Sequence, residues 1–188
     1  MAVVGTIYNI KQFDDYILQM YYDSAPYLWY NGSYILTGAS DELTGEFNTP
    51  LIIQEQGIGT YASSIADSLV AGGFNDWYLP SVDELIEIEN SGIVTSGAFW
   101  TSTEFDINKA YAYIITIGAN TYDKSFSFPV LMVRKEYTST FVEVDRMKIQ
   151  SKDAPILRGG ENNADEDVYK MLGGVNGISK NSNILSNE

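Results

Sequence analysis

The residues of this chain that could do acid/base chemistry are carboxylates. Glu84 and Glu87 lie one helical turn apart in "SVDELIEIEN", and Asp106 follows in "EFDINK". Such groups act as general acid or base only where burial or a neighbour moves a pKa, and acids at this spacing are also common on a solvated helix face. The chain contains no Cys and no His. That closes thiolate nucleophiles, disulfides, thiolate and imidazole metal sites and the usual general base. A carboxylate-dependent hydrolase is the enzyme reading left open. A second chemistry is oxygen ligation: Glu104, Asp106 and Asn108 occupy alternate positions and could hold a hard cation such as Ca²⁺. Otherwise no cofactor is expected. A third is sugar recognition, which uses aromatic faces together with amide and hydroxyl groups. Trp29, Tyr30 and Asn31 in "YLWYNGSY", with Asp106 and Asn108 in "EFDINKAY", offer both.

Charge narrows the partners. The net charge is −14 over 188 residues, which argues against nucleic acid, where Lys and Arg must neutralise phosphates. Lys11 is the only basic residue before Lys109, while fourteen acids lie from Asp14 to Glu104. This asymmetry reads either as a solvating acidic surface or as a face for a basic partner or Ca²⁺. The opening "MAVVGTIYNIKQFDD" lacks a basic n-region and a sustained apolar run, so it does not read as a signal peptide. No apolar stretch is long enough to span a bilayer. Synthesis in a cytoplasm, without an export address or a membrane partner, is the expectation.

The elements that must position these residues follow from pattern. "VVGTIYNI" is strand-prone, and Asn31-Gly32 between two aromatic, β-branched runs predicts a hairpin. "TGASDELTGEFNTP" reads as turn-rich loop. "TYASSIADSLVAGG" places Ala62, Ile65, Ala66, Leu69 and Val70 at helical spacing, with Gly72-Gly73 where a left-handed cap would stop the helix. Ser81 and Glu84 form a capping-box pattern ahead of Leu85, Ile86 and Ile88, which predicts a second helix. Pro80 keeps Leu79 extended, and Trp77 is large enough to anchor this linker against a core. Asp76 is expected to accept backbone N–H bonds and fix the turn. "AYAYIITIGANTYDKSFSFPVLMVRK" reads as a meander: a strand with alternating parity, a tight turn at Gly118-Ala119-Asn120, a returning strand, and a third strand after Pro129. "TFVEVDRMKI" (140–149) could add a strand. From Ser151 the chain turns polar, with a capping pattern at Asn163 and Glu166 and a short helix over 164–172. The organisation expected is one domain over 1–149 and a tail over 150–188 that serves as an assembly or interaction segment.

The run "AGGFNDWYLPSVDELIEI", then "FWTSTEF", then the hairpin ending in "VLMVRK", resembles the C-terminal domain family of the Legionella collagen-like adhesin. The similarity covers about residues 57–136. It is carried by Gly73, Asp76, Trp77, Leu79, Pro80 and Glu84 in the first motif, and by Trp100, Ser102, Thr103 and Glu104 in the second. Tyr78 stands where that family usually has Arg. The resemblance implies an α+β, C-type-lectin-like fold: two short helices packed on a twisted, mainly antiparallel sheet, with variable loops and, here, an extended C-terminal tail. It implies recognition rather than catalysis, in phage fibre and surface proteins. The calcium-dependent lectin triplets Glu-Pro-Asn and Gln-Pro-Asp are absent.

The leading expectation is a non-catalytic recognition or structural component of a phage virion, located in the particle. Its partners would be other virion or fibre proteins and further copies of itself, a trimer by analogy. The alternative is a glycan-binding adhesin module at a bacterial surface, and the remote one is the hydrolase. In every case Trp77, Leu79 and Trp100 are expected as buried framework.

Overall fold

Six strands and three helices are formed by residues 2–138, the part of the chain that the computed structural model describes. β1 (Ile7–Gln12) and β2 (Tyr16–Leu28) make an antiparallel hairpin, closed by Phe13 N donating to Tyr16 O at 2.8 Å. The other edge of β2 pairs with β6 (Ser127–Tyr137), from Tyr16 opposite Tyr137 to Leu28 opposite Ser127. A second antiparallel sheet joins β3 (Ala98–Glu104), β4 (Lys109–Ile114) and β5 (Gly118–Asp123). The described unit is therefore α+β, built on two three-stranded sheets, where a single main sheet was expected.

The meander stops at its third strand. β6 does not continue beside β5 but crosses to the far edge of β2, because "FPVLMV" has apolar residues of both parities to bury. Val130 and Met132 enter one core with Trp29, Trp77 and Trp100; Leu131 and Val133 enter another with Leu18, Leu85 and Phe99. A strand covered on both faces reads as a continuous apolar run. β4 divides similarly, Ala110 and Ala112 lining the first core and Tyr113 the second. The turn after β4 occupies Ile115–Ile117, three residues ahead of the expected one, and Gly118 (φ 105°) opens β5.

The hairpin expected at Asn31-Gly32 is not formed. β1 covers its edge of β2 only from Ile17 to Tyr21, so an edge beside residues 22–28 stays open; the loop is taken up elsewhere, with Ile35 O accepting from Lys124 and Thr37 N donating to Glu104. Asn31 instead donates its side-chain amide to Gln56 O (3.0 Å) and Ile58 O (3.4 Å).

The segment read as loop contains a third helix, α1 (Gly45–Gln56), despite Pro50 within it. Its buried positions Gly45, Asn48, Thr49, Ile52 and Gln56 have helical spacing but are mostly polar, so no apolar stripe announces them. Asn48 and Thr49 are satisfied by hydrogen bonds, and Gln56 Oε1 accepts from Asn31 N while its Nε2 is buried without a partner. Asn48 bonds Asp41 O and Ser102 Oγ, and Thr49 Oγ1 bonds the backbone of Leu79.

α2 is short (Ala62–Asp67), ending well before the glycines; Gly72 (φ 64°) and Gly73 (φ 85°) instead shape the tight turn that brings Ala71 and Phe74 into a β-bridge. α3 (Val82–Asn90) starts at the expected cap, with the Ser81 hydroxyl accepting from Glu84 N and the Glu84 carboxylate from Ser81 N. The strand expected at 140–149, the helix expected at 164–172 and the boundary at 149/150 lie outside the described residues.

Candidate functional site

The first motif builds framework. Trp77 and Leu79 are buried in the first core, and the Trp77 ring is tilted against Tyr21 at 6.0 Å. Pro80 is buried, and its carbonyl accepts from Ser102 N at 2.7 Å, which joins the first motif to the second. Asp76, expected to fix its turn by accepting backbone N–H bonds, is instead engaged by a side chain from β6. Its two carboxylate oxygens take Arg134 Nε (2.7 Å) and Nη2 (2.9 Å), while the guanidinium lies 3.6 Å over the Phe74 ring and bonds Gln19.

These Arg134 bonds hold the Asp76 carboxyl below its usual value near 3.8. A depressed carboxylate stabilises the fold above its ordinary value, and that contribution disappears as pH falls through the depressed one. Asp76 is about half exposed (52%), so solvent screens the pair and its worth is about 1 kcal/mol. Asp76→Asn is expected to remove that share of the stability lost below about pH 4, as read from urea midpoints of both proteins between neutral and acid pH.

Tyr78, standing where the resembled family has Arg, is buried and donates its hydroxyl to Glu84 Oε1 at 2.7 Å. Glu84 accepts in addition from Ser81 N and Gly45 N, both at 2.9 Å, so one carboxylate ties the starts of α1 and α3 together. Burial raises the Glu84 pKa, against the lowering effect of these donors, and burial beside Glu84 pushes the Tyr78 hydroxyl up as well. Tyr78→Phe withdraws one charge-assisted donor from a buried acceptor, for an expected loss of about 2 kcal/mol in thermal or chemical denaturation. Glu87, the other member of the acid pair, is bonded to Lys11 at 2.8 Å.

In the second motif Trp100, Thr101, Ser102, Thr103 and Glu104 are all buried. Trp100 Nε1 donates to Tyr27 O, Thr101 Oγ1 to Tyr111 O and Thr103 Oγ1 to Asp41 O. Glu104 is spent on a partner that the sequence did not reveal. Lys124 is fully buried, its ammonium bonding Glu104 Oε1 (2.6 Å), Ile35 O (3.0 Å) and Ile107 O (3.0 Å) and lying 4.7 Å from the Trp29 ring centroid. Glu104 also accepts from Thr37 N and Gly38 N. Backbone bonds from Trp29 N to Lys124 O and from Lys124 N to Asn108 O complete the junction. Lys is rarely buried unless paired. Here one ion pair gathers the 29–39 loop, the β3–β4 turn and the β5–β6 turn into one end of the molecule.

That end presents rings outward. Tyr30 and Tyr34 lie 4.9 Å apart, and the Tyr34 hydroxyl donates to Asp123 at 2.6 Å. Bonds from Ser125 and Tyr34 hold the Asp123 carboxyl low, at about 2. Phe105 (54% exposed) stands edge-on to Tyr111, and Phe126 (54% exposed) edge-on to Tyr122.

The expected ligand residues are distributed unevenly over this surface. Trp29, expected on the ligand face, is instead fully buried, with Nε1 donating to Thr101 O. Tyr30 is half-buried at the rim. Asn31 is exposed, but its amide is used on the loop after α1. Asp106 Oδ1 accepts from Asn108 N and Lys109 N within its own turn, leaving Asn108 exposed. The oxygen set proposed for Ca²⁺ is broken up, since Glu104 points inward to Lys124; among the described residues no group of three or more acidic side chains converges on a cation position. Tyr34, Phe105, Phe126 and Lys124 are the members of this end that sequence reasoning missed. An isolated Lys in "TYDKSF" looks like any turn lysine, and scattered aromatic residues carry no period.

No family model, no curated protein and no solved structure matches the chain. Among the described residues no helix is long and apolar enough to cross a membrane.

Proposed function

We propose that this chain is a non-catalytic recognition and structural domain with a C-type-lectin-like arrangement, a component of a phage virion or fibre, and that it recognises its target through the loop end built on Lys124. The observation that carries the reading is the division of labour between buried and exposed groups. The carboxylates Glu84 and Glu104 are each consumed by internal donors, while Tyr34, Phe105 and Phe126 stand in solvent on a braced end. A rigid display of aromatic surface lowers the entropy cost of binding. The virion setting rests on the motif resemblance of residues 57–136, and neighbouring copies or fibre proteins would be the partners there.

The aromatic and amide groups of the same end also favour the second reading, a glycan-binding adhesin module at a bacterial surface. Two measurements separate the readings. Mass spectrometry of purified particles detects the chain if it is a virion part. A glycan array probed with the full chain, beside Tyr34→Ser and Phe105→Ser variants, reports sugar binding at the loop end. Absence from particles removes the virion reading. Binding that survives both substitutions removes the loop end as the recognition surface.

A further inference from the structure

The sheet of β3, β4 and β5 ends in an edge that nothing in its sequence guards. Lys124 N donates to Asn108 O at 2.9 Å, which sets the alternation along β4 and β5. Gly118, Asn120 and Tyr122 exchange backbone bonds with β4, and the N–H and C=O groups of Ala119, Thr121 and Asp123 face away. Among the described residues the one backbone bond these outward groups make is Asp123 O accepting from Phe126 N. A row of unpaired backbone groups is a template for a further strand, and folds blunt it with a bulge, Pro, Lys or a covering loop. The other edges have such protection. β1 has a bulge and Lys11, and the open part of β2 a bulge and Pro26. The carbonyls of Ala39 and Pro80 take N–H groups of β3, and Tyr78 bridges β6 at Val133. β5, "GANTYD", has no bulge, Pro or Lys.

What pairs there is indicated by the symmetry of the edge. A two-fold axis at Thr121 sets Thr121 opposite its own copy and Ala119 opposite Asp123 of the second copy, which uses every outward group. The two Asp123 carboxylates then stand about 13 Å apart along the strands, beyond the screening length of about 8 Å at physiological salt. Ile117 (71% exposed) precedes the strand and Phe126 (54% exposed) follows it. Antiparallel pairing brings Ile117 of each copy to the end where Phe126 of the other stands. Residues 118–122 carry no charge, so two chains of net charge −14 meet here without setting acid against acid.

We propose that β5 pairs antiparallel with β5 of a second copy of this chain about Thr121, joining two three-stranded sheets into one of six strands. The recognition test rests on Tyr34 and Phe105, which are not in this edge, so either reading can fail alone.

The test combines sedimentation velocity with amide hydrogen exchange of the full chain over a concentration series from micromolar to millimolar, since the contact is at the small end of specific interfaces. Expected are a monomer–dimer equilibrium and, in step with it, exchange at Ala119 and Thr121 slowed at least about tenfold, while Asn120 and Tyr122 are protected throughout. Thr121→Pro removes an N–H that β4 does not use, so an edge strand tolerates it. It deletes two symmetry-related bonds and should weaken the dimer at least about tenfold. Thr121→Lys sets like charges opposite each other across the axis and should weaken it about fivefold. Protection of Asn120 and Tyr122 reports that each variant folds. A monomer at every concentration, a folded variant that associates as before, or exchange at Ala119 and Thr121 that does not follow concentration would each overturn the proposal.

Discussion

Lys124→Met lowers the stability of the described unit by about 3–5 kcal/mol, the range for removing one partner of a buried ion pair. The side chain is replaced by one of similar reach, so the loss is not chiefly a cavity. It arises because Glu104 keeps its charge in a site closed to water, with only Thr37 N and Gly38 N left as donors. The carbonyls of Ile35 and Ile107 lose their partner as well. Combining Lys124→Met with Glu104→Gln removes the stranded charge, so the double variant should be more stable than Lys124→Met alone. The amide oxygen still serves the loop N–H groups, and the two carbonyls stay unpaired, so recovery is partial. Urea denaturation of the three proteins, with the slope unchanged, reads these differences directly. A single-variant loss within about 0.5 kcal/mol, the range of ordinary surface substitutions, would mean that Lys124 reaches solvent.

Trp29→Ala is the second large effect. Removing a fully buried indole leaves a cavity as well as losing transfer free energy, for about 3–5 kcal/mol. Trp29 also caps the ammonium of Lys124 and donates to Thr101 O, so truncation disturbs the junction it packs against. Trp29→Phe keeps part of the volume and should cost less than half as much. These expectations separate a framework ring from a ligand-stacking ring. A stacking ring could be deleted with stability almost unchanged and binding lost; Trp29 is expected to show the opposite, with the fold weakened before any effect on recognition. Thermal denaturation of both variants beside the parent protein provides the comparison.

The parts legible in the sequence are those where a local rule and the tertiary structure agree. Ser81 and Glu84 cap α3 as the spacing predicts, and the β4 parity divides Ala112 from Tyr113 between two cores. Where the two disagree, the local rule lost for identifiable reasons. Asn31-Gly32 carries a strong turn signal, but the residues after it are taken by more distant partners, Ile35 O by Lys124 and Thr37 N by Glu104. α1 hides because its buried face is largely polar, with Asn48 and Thr49 satisfied by hydrogen bonds, which hydrophobic period does not detect. Gly72-Gly73 marks a real left-handed stretch, but of a turn rather than of a helix end. The site was the least legible part. Glu104 and Lys124 lie twenty positions apart, and nothing in either local context distinguishes a buried pair from two solvated charges.

The most direct measurement is native-state hydrogen exchange of loop amides that belong to no strand or helix: Trp29, Thr37 and Gly38, bonded to Lys124 O and Glu104. If the buried pair locks the loop end into a preformed surface, these amides exchange as slowly as those of Tyr21 and Met132, opposite each other in the β2–β6 ladder, through global unfolding alone. Exchange of all three through low-energy local opening, while the ladder stays protected, would show that the loop end is not held by Lys124 and would contradict a prebuilt recognition surface there.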